Sequence, residues 1–219
     1  MNSRLKIYLT LFSLFLLTSC GAFQIQVISG DPREFVLQME DLPPGIRYYT
    51  PPEFDYATSN EYILLHRGVT DGQEFIDATG RLGGWLLAYS RYDPDDPAPA
   101  TFSSEATLFQ DSKGSRKTVS EFNSARLYPE AGWQVVDAGV KLGDQVMIER
   151  RPEVDFSGEA AVAYRIEFAF RNVVGNLYVY GLEKDLSLEN AVDYAAKMLE
   201  KMKTAPLHRP PAALTAEMP

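Results

Sequence analysis

From Val162 to Phe170 the chain alternates: Tyr164, Ile166, Phe168 and Phe170 fall on one side, Arg165, Glu167 and Arg171 on the other. Successive side chains of an extended backbone leave on opposite faces, so a period of two fits a strand with one face on a core. Further strand candidates flank it. Trp85 to Tyr92 and Phe102 to Gln110 precede it as an antiparallel pair across a loop, Asp93 to Thr101, rich in proline and aspartate. Trp133 to Val136, Val146 to Arg150 and Leu177 to Leu182 complete the set. After Phe170 two pairs compete for the turn, Arg171-Asn172 and Gly175-Asn176.

Helical spacing marks the chain's end. Leu188, Val192, Ala195, Leu199 and Met202 step by four, three, four and three, which places them on one stripe. Ser187 suits the start of this helix, and Lys197, Lys201 and Lys203 suit its negative C-terminal end, so it is expected over Leu188 to Lys203. Thr70 and Asp71 with Gln73 and Glu74 form an overlapping capping-box signal. Phe75, Ala78, Thr79 and Leu82 follow as a helix, and Gly80, Gly83 and Gly84 are expected to close it. A third helix is expected over Ser115 to Leu127, with Val119, Phe122 and Ala125 on one side. Tyr48 to Gly68 reads as a loop with a short helix near Ser59 to Leu65. Strands and helices that do not alternate regularly predict an α+β fold, a mostly antiparallel β-sheet with helices packed on it.

The first residues have a different purpose. A short basic start containing Arg4 and Lys6 leads into an apolar run from Ile7 to Leu17, broken only by Thr10 and Ser13. A membrane-spanning helix needs about 20 predominantly apolar residues. This run stops short and has the form of a secretory signal. Leu17-Thr18-Ser19-Cys20 resembles the bacterial lipobox, in which small residues stand before an acylated cysteine. The resemblance implies cleavage after Ser19 and a diacylglyceryl group, with its palmitate-like chains, on Cys20. Two acyl chains suffice for stable anchoring. Cys20 is the single cysteine of the 219 residues, so the exported domain must hold together without a disulfide. The expected organisation is a signal peptide over 1–19, a lipid-anchored tether over 20–34, one α+β domain over 35–203 and an irregular tail over 204–219. Within the tether Phe23, Ile25 and Val27 alternate and could pair as a strand, while Pro206, Pro210 and Pro211 break up the tail.

Charge narrows the partners. The chain carries a formal net charge of −9, and cleavage removes Arg4 and Lys6 but no acid, leaving −11. Clustered Lys and Arg are what phosphate backbones and anionic headgroups bind, so neither nucleic acid nor electrostatic membrane attachment fits the overall balance. The expected location is the extracytoplasmic face of a cell membrane, held there by lipid on Cys20.

Asp41-Leu42-Pro43-Pro44-Gly45, the Gly143-Asp144 lead into a strand, the alternating hairpin and the closing helix are similar to a class of exported bacterial lipoproteins. That class resembles the PsbP-like fold, an antiparallel sheet with helices packed on it. The likeness spans Phe35 to Lys203 in element order. It implies an accessory, assembly or binding role and supplies no active-site motif.

The residues carry little chemistry of recognisable spacing. The two histidines, His66 and His208, form no metal-binding pattern, and Cys20 once acylated cannot ligate. No metal and no cofactor is expected. No Gly-x-Ser-x-Gly elbow accompanies His66, which disfavours a nucleophilic hydrolase. Acids are plentiful, among them Glu40, Asp41, Asp93, Asp95, Asp96, Glu149 and Glu153, but spacing singles out no pair. Asp93-Pro94-Asp95-Asp96-Pro97 lacks calcium-loop geometry and reads as a solvated loop. Gly80 to Gly84 stand after a helix and before a strand, the reverse of a phosphate cradle. There remain the aromatics Tyr48, Tyr49, Phe54, Tyr56 and Tyr62 near Pro43-Pro44 and Pro51-Pro52. Tyrosine offers a flat apolar face with a polar tip, so this cluster is a candidate patch for a ligand or an envelope protein, or else a seal over the core. A non-catalytic binding or accessory module is the leading expectation. The alternatives are a carboxylate-dependent enzyme acting on envelope glycans and a passive structural lipoprotein.

Overall fold

The computed structural model describes residues 26–44, 48–91, 101–122 and 129–208. The lipobox-like Leu17–Cys20, Gly45, the Asp93–Pro97 stretch and the end of the tail lie outside them. The α+β expectation holds: an antiparallel sheet of eight strands carries helices on both faces. Its long strands are β4 (Arg81–Arg91), β5 (Thr101–Phe109), β7 (Gln145–Val154), β8 (Ala160–Phe170) and β9 (Val173–Leu182), in the order β4-β5-β9-β8-β7. Short strands finish the edges. β2 (Tyr48–Tyr49) and β3 (Asp55–Thr58) both pair with β4, and β6 (Gln134–Val135) pairs with β7. A separate ribbon joins β1 (Val27–Ile28) to β10 (Leu207–His208), inside stretches expected as tether and irregular tail. Ile28 is buried there, and Phe23 and Ile25 lie outside the described residues.

One row across the sheet shows how the alternation builds the core. Leu87, Ser104, Leu177, Ile166 and Ile148 stand opposite one another in turn on β4, β5, β9, β8 and β7, and all are buried. The last helix, Leu188–Thr204, covers this face with Ala191, Ala195, Met198, Leu199 and Met202. At each such position burial of a large apolar side chain contributes roughly 1.5–3 kcal/mol.

The helices are α1 (Asn60–Arg67), α2 (Val69–Thr79), α3 (Ser112–Glu121) and α4 (Leu188–Thr204). α4 begins where expected, with the Ser187 hydroxyl accepting from the Asn190 amide at 3.2 Å. Its Lys201 does more than face a helix dipole: it pairs with Asp41 at 2.5 Å and donates to the Val36 carbonyl at 2.9 Å, tying the N-terminal segment to the helix.

Other boundaries differ from expectation for physical reasons. α2 starts at Val69 with Gly68 as its N-cap and no side-chain cap, so the Thr70/Asp71 capping signal is not used. Gly80 ends that helix in the left-handed conformation, φ 64°, but Gly83 and Gly84 belong to β4. α3 starts three residues earlier than Ser115, because the Asp111 carboxylate accepts from the Lys113 and Gly114 amides. β7 continues through Pro152 because β6 covers only Glu149 and Arg150, which leaves the proline on an edge where its missing N–H breaks no ladder bond. The turn after β8 is Arg171-Asn172, with Arg171 at φ 55°. Gly175 lies inside β9, where a Cβ would stand 2.5 Å from Cζ of Phe168. Glycine there makes room for that ring.

Candidate functional site

The second face of the sheet has two halves. Towards the β8–β9 turn, α2 and α3 seal it with Phe75, Phe109, Val119, Ala169 and Val174. Away from that turn it becomes polar. Glu105 on β5, Asn176 on β9 and Glu167 on β8 stand in one row, and Ser103, Tyr178, Arg165 and Glu149 form the next. Side chains alternate across a strand, so the register that seats Ile166 and Phe168 in the core obliges Arg165 and Glu167 to share this opposite face.

Glu167 is the unusual member. It is 7% exposed, and its Oε1 accepts a long hydrogen bond from Asn176 Nδ2 at 3.4 Å. Its other oxygen, Oε2, is buried and has no hydrogen-bond partner among the described residues. Burial, reinforced by the Glu149 carboxylate, pushes the Glu167 carboxyl up to about 8, against the pull of Arg165. At neutral pH the side chain is therefore mostly an uncharged acid, able to donate as well as accept. Glu149 is buried too, with Arg165 Nη1 at 3.8 Å from its Oε2. Two buried carboxyls thus share Arg165 unequally: its guanidinium lies 3.8 Å from Glu149, whereas at Glu167 burial outweighs its pull.

The rims are built from side-chain networks. On the β3 side, Glu105 accepts from Thr58 Oγ1 at 2.9 Å and Thr107 Oγ1 at 3.3 Å, with Arg81 Nη2 at 3.8 Å. Arg81 is buried and donates to the Thr58 carbonyl and to Asn60 Oδ1, and its burial lowers its proton affinity. Beside it the hydroxyls of Tyr56 and Tyr62 meet at 2.8 Å, and the His66 ring stacks on Tyr62 with centroids 3.8 Å apart. Burial and that hydroxyl pair raise the Tyr56 phenol. On the β6 side, Trp133 carries the guanidinium carbons of Arg165 and Arg151 over its ring at 4.4 and 4.6 Å. Tyr178 meets Trp133 edge-on at 6.3 Å.

The five aromatics singled out in the sequence do not gather into one patch. Tyr56 and Tyr62 pair at the rim. Tyr48 turns to the core face, edge-on to Phe102 at 5.7 Å, and burial pushes its phenol up to about 12. Tyr49 and Phe54 are exposed. His66 is exposed and its Nδ1 lies 2.8 Å from the Tyr62 carbonyl, while His208 is in β10. Glu153 pairs with Arg151 at 2.5 Å, and Glu40 is exposed. Of the described acids named from sequence, Glu149 and Glu153 share the polar half-face of β7, Glu149 beside Glu167 and Glu153 paired with Arg151 at the rim; Glu105 and Glu167 were not named from sequence as site residues.

Among the described residues no group of three or more His, Cys, Asp and Glu is placed to hold a metal ion, and no helix is long and apolar enough to cross a membrane. No protein-family profile and no curated protein matches the chain. Among solved structures the extracellular domain of PknH from Mycobacterium tuberculosis shares its fold, with a TM-score of 0.51 at 15% identity, over 81% of this chain and 98% of that one.

Proposed function

We propose that this chain is a lipid-anchored extracytoplasmic binding module, and that the polar half of the second sheet face receives its ligand. The observation that carries the reading is Glu167: a nine-tenths buried carboxyl with one oxygen unpartnered, in a row whose other members are half-buried and within reach of solvent. A buried polar group without a partner costs roughly 1–3 kcal/mol, an expense that a fold has no structural reason to retain. A ligand group that bonds to Glu167 Oε2 removes that cost. Because the acid is mostly neutral at pH 7, the fitting ligand is uncharged and rich in hydroxyl or amide groups, and an envelope glycan has that chemistry.

The signal-like start and Cys20 support the anchor, and the fold shared with an extracellular domain supports the outer location alone. The PsbP-like resemblance read from the sequence belongs to the same reading and would imply an accessory role beside an envelope protein, with exposed Tyr49 and Phe54 available for contact. The test is calorimetric titration of the full chain with N-acetylglucosamine oligomers, wild type against Glu167→Leu. Binding lost in the variant while its melting temperature rises supports the site. Binding retained unchanged moves the site elsewhere.

A second reading has its own observation. A carboxyl raised to about 8 with Glu149 on the neighbouring strand is the pattern of an acid and a base in unlike environments. If the same oligomers are cleaved, and cleavage disappears in both Glu167→Gln and Glu149→Gln, the protein is a carboxylate-dependent enzyme.

A further inference from the structure

At the end of the sheet where β8 turns into β9, a cavity of about 430 Å³ is lined by Gln26, Ser112, Arg116, Lys141, Gly143, Asp144 and Arg171. Three of these residues are cationic and one is acidic. Asp144 is already engaged, its Oδ2 accepting from the Arg171 backbone amide at 2.7 Å. Arg171 Nη1 donates weakly to the Gln26 carbonyl at 3.4 Å. Among the described residues neither Arg116 nor Lys141 has an ion-pair partner, and both are exposed. In a chain of net charge −9, a cavity with a local surplus of positive charge stands out against its surroundings.

Its position relative to the chain start gives the surplus a meaning. Gln26 is six residues from Cys20, and six residues span at most roughly 20 Å whatever their conformation. The opposite end of β9, at Leu182, is about 30 Å away along the strand. A chain held by lipid on Cys20 keeps this cavity close to the headgroup layer, whereas the far end of the sheet can stand clear of it. We infer that Arg116, Lys141 and Arg171 bind the phosphate of an anionic phospholipid headgroup, fixing how the domain stands on the membrane. The inference rests on the proposed acylation of Cys20. It is compatible with the acidic overall balance, because screening confines such interactions to within about 10 Å and local charge decides them.

The test uses the full chain purified from membranes, with the acyl mass on Cys20 verified by mass spectrometry, and reconstituted into vesicles. Acetylation rates of Lys141 and of Lys184, at the far end of the sheet, are compared on phosphatidylcholine alone and with phosphatidylglycerol added. Lys141 is expected to slow several-fold on the anionic vesicles only, Lys184 to keep its rate, and Arg116→Gln to cancel the difference. Equal Lys141 rates on both vesicles, with the acyl groups present, overturn the inference alone. Protection of Lys141 by inorganic phosphate in the Cys20→Ala chain to the same degree overturns the lipid source. An unmodified Cys20 removes the anchor and this inference with it.

Discussion

Ile28 and Asn172 hold each other by two hydrogen bonds across 144 positions of sequence. The Ile28 amide donates to Asn172 Oδ1 at 2.6 Å, and Asn172 Nδ2 donates back to the Ile28 carbonyl at 3.1 Å. The same Nδ2 reaches the Phe109 carbonyl at 3.0 Å, so one side chain at the β8–β9 turn fastens the first described strand to β5. Asn172→Ala strands three backbone groups in a buried place. At roughly 1–3 kcal/mol for each group left unpaired, a loss of at least about 3 kcal/mol is expected in urea unfolding. A loss below about 1 kcal/mol would mean that water or a shifted β1 satisfies them.

The Glu167 acid should make stability fall with rising pH. Its folded value of about 8 lies above the ordinary 4.5, so the folded protein binds more protons than the unfolded chain between those limits. The contribution is fully present below pH 4.5, and is lost as pH climbs through 8. At about 1.4 kcal/mol per pK unit the loss amounts to a few kcal/mol. Glu167→Gln should flatten the slope over that window in denaturant titrations at a series of pH values, and an unchanged slope would show that another group titrates.

Much of the sheet was legible because one face of each strand carries the large apolar side chains, and β8 shows that alternation in sequence from Tyr164 to Phe170 although both of its faces are largely buried. The α4 stripe was legible for the same reason at period 3.6. The continuation of β7 through Pro152 and of β9 across Gly175 was not, because an edge position and a bulky neighbour are tertiary facts. The site was the hardest part. Its clue lay in β8, where Ala161, Ala163 and Ala169 share a face with Arg165 and Glu167, and small apolar residues among charges indicate a covered face. Which strands bring Glu105 and Asn176 alongside could only come from the order β5-β9-β8. The aromatic cluster divides in the fold, since adjacent Tyr48 and Tyr49 point to opposite faces of one short strand.

Arg81 should be essential to the β3 rim. Its side chain is 1% exposed and donates to Asn60 Oδ1 at 2.9 Å, the Thr58 carbonyl at 2.6 Å and Thr58 Oγ1 at 2.9 Å. Arg81→Met leaves those acceptors and Glu105 without their cation, and a loss of about 3–5 kcal/mol is expected. Adding Glu105→Gln to the variant should recover part of it, because the uncompensated charge is then gone. Strict additivity of the two losses would show that the 3.8 Å separation between the charges carries no coupling.

Gly114→Ala separates local preference from packing by sign. Alanine is favoured over glycine in a helix interior by about 1 kcal/mol, so propensity alone predicts a gain in α3. The structure predicts the reverse. A Cβ on Gly114 would stand 1.8 Å from the Thr79 carbonyl oxygen and 2.9 Å from its carbon. These are backbone atoms at the end of α2, where the Thr79 hydroxyl already donates to the Phe75 carbonyl at 2.7 Å, and they have no rotamer to turn aside. Relief requires α2 and α3 to part, which opens the cluster of Phe75, Phe109 and Val119 beneath them. Overpacking of this kind costs about 1–3 kcal/mol, and with backbone on the receiving side the upper end applies. The urea midpoint should therefore fall, whereas a rise would mean that the two helices are free to separate at no cost.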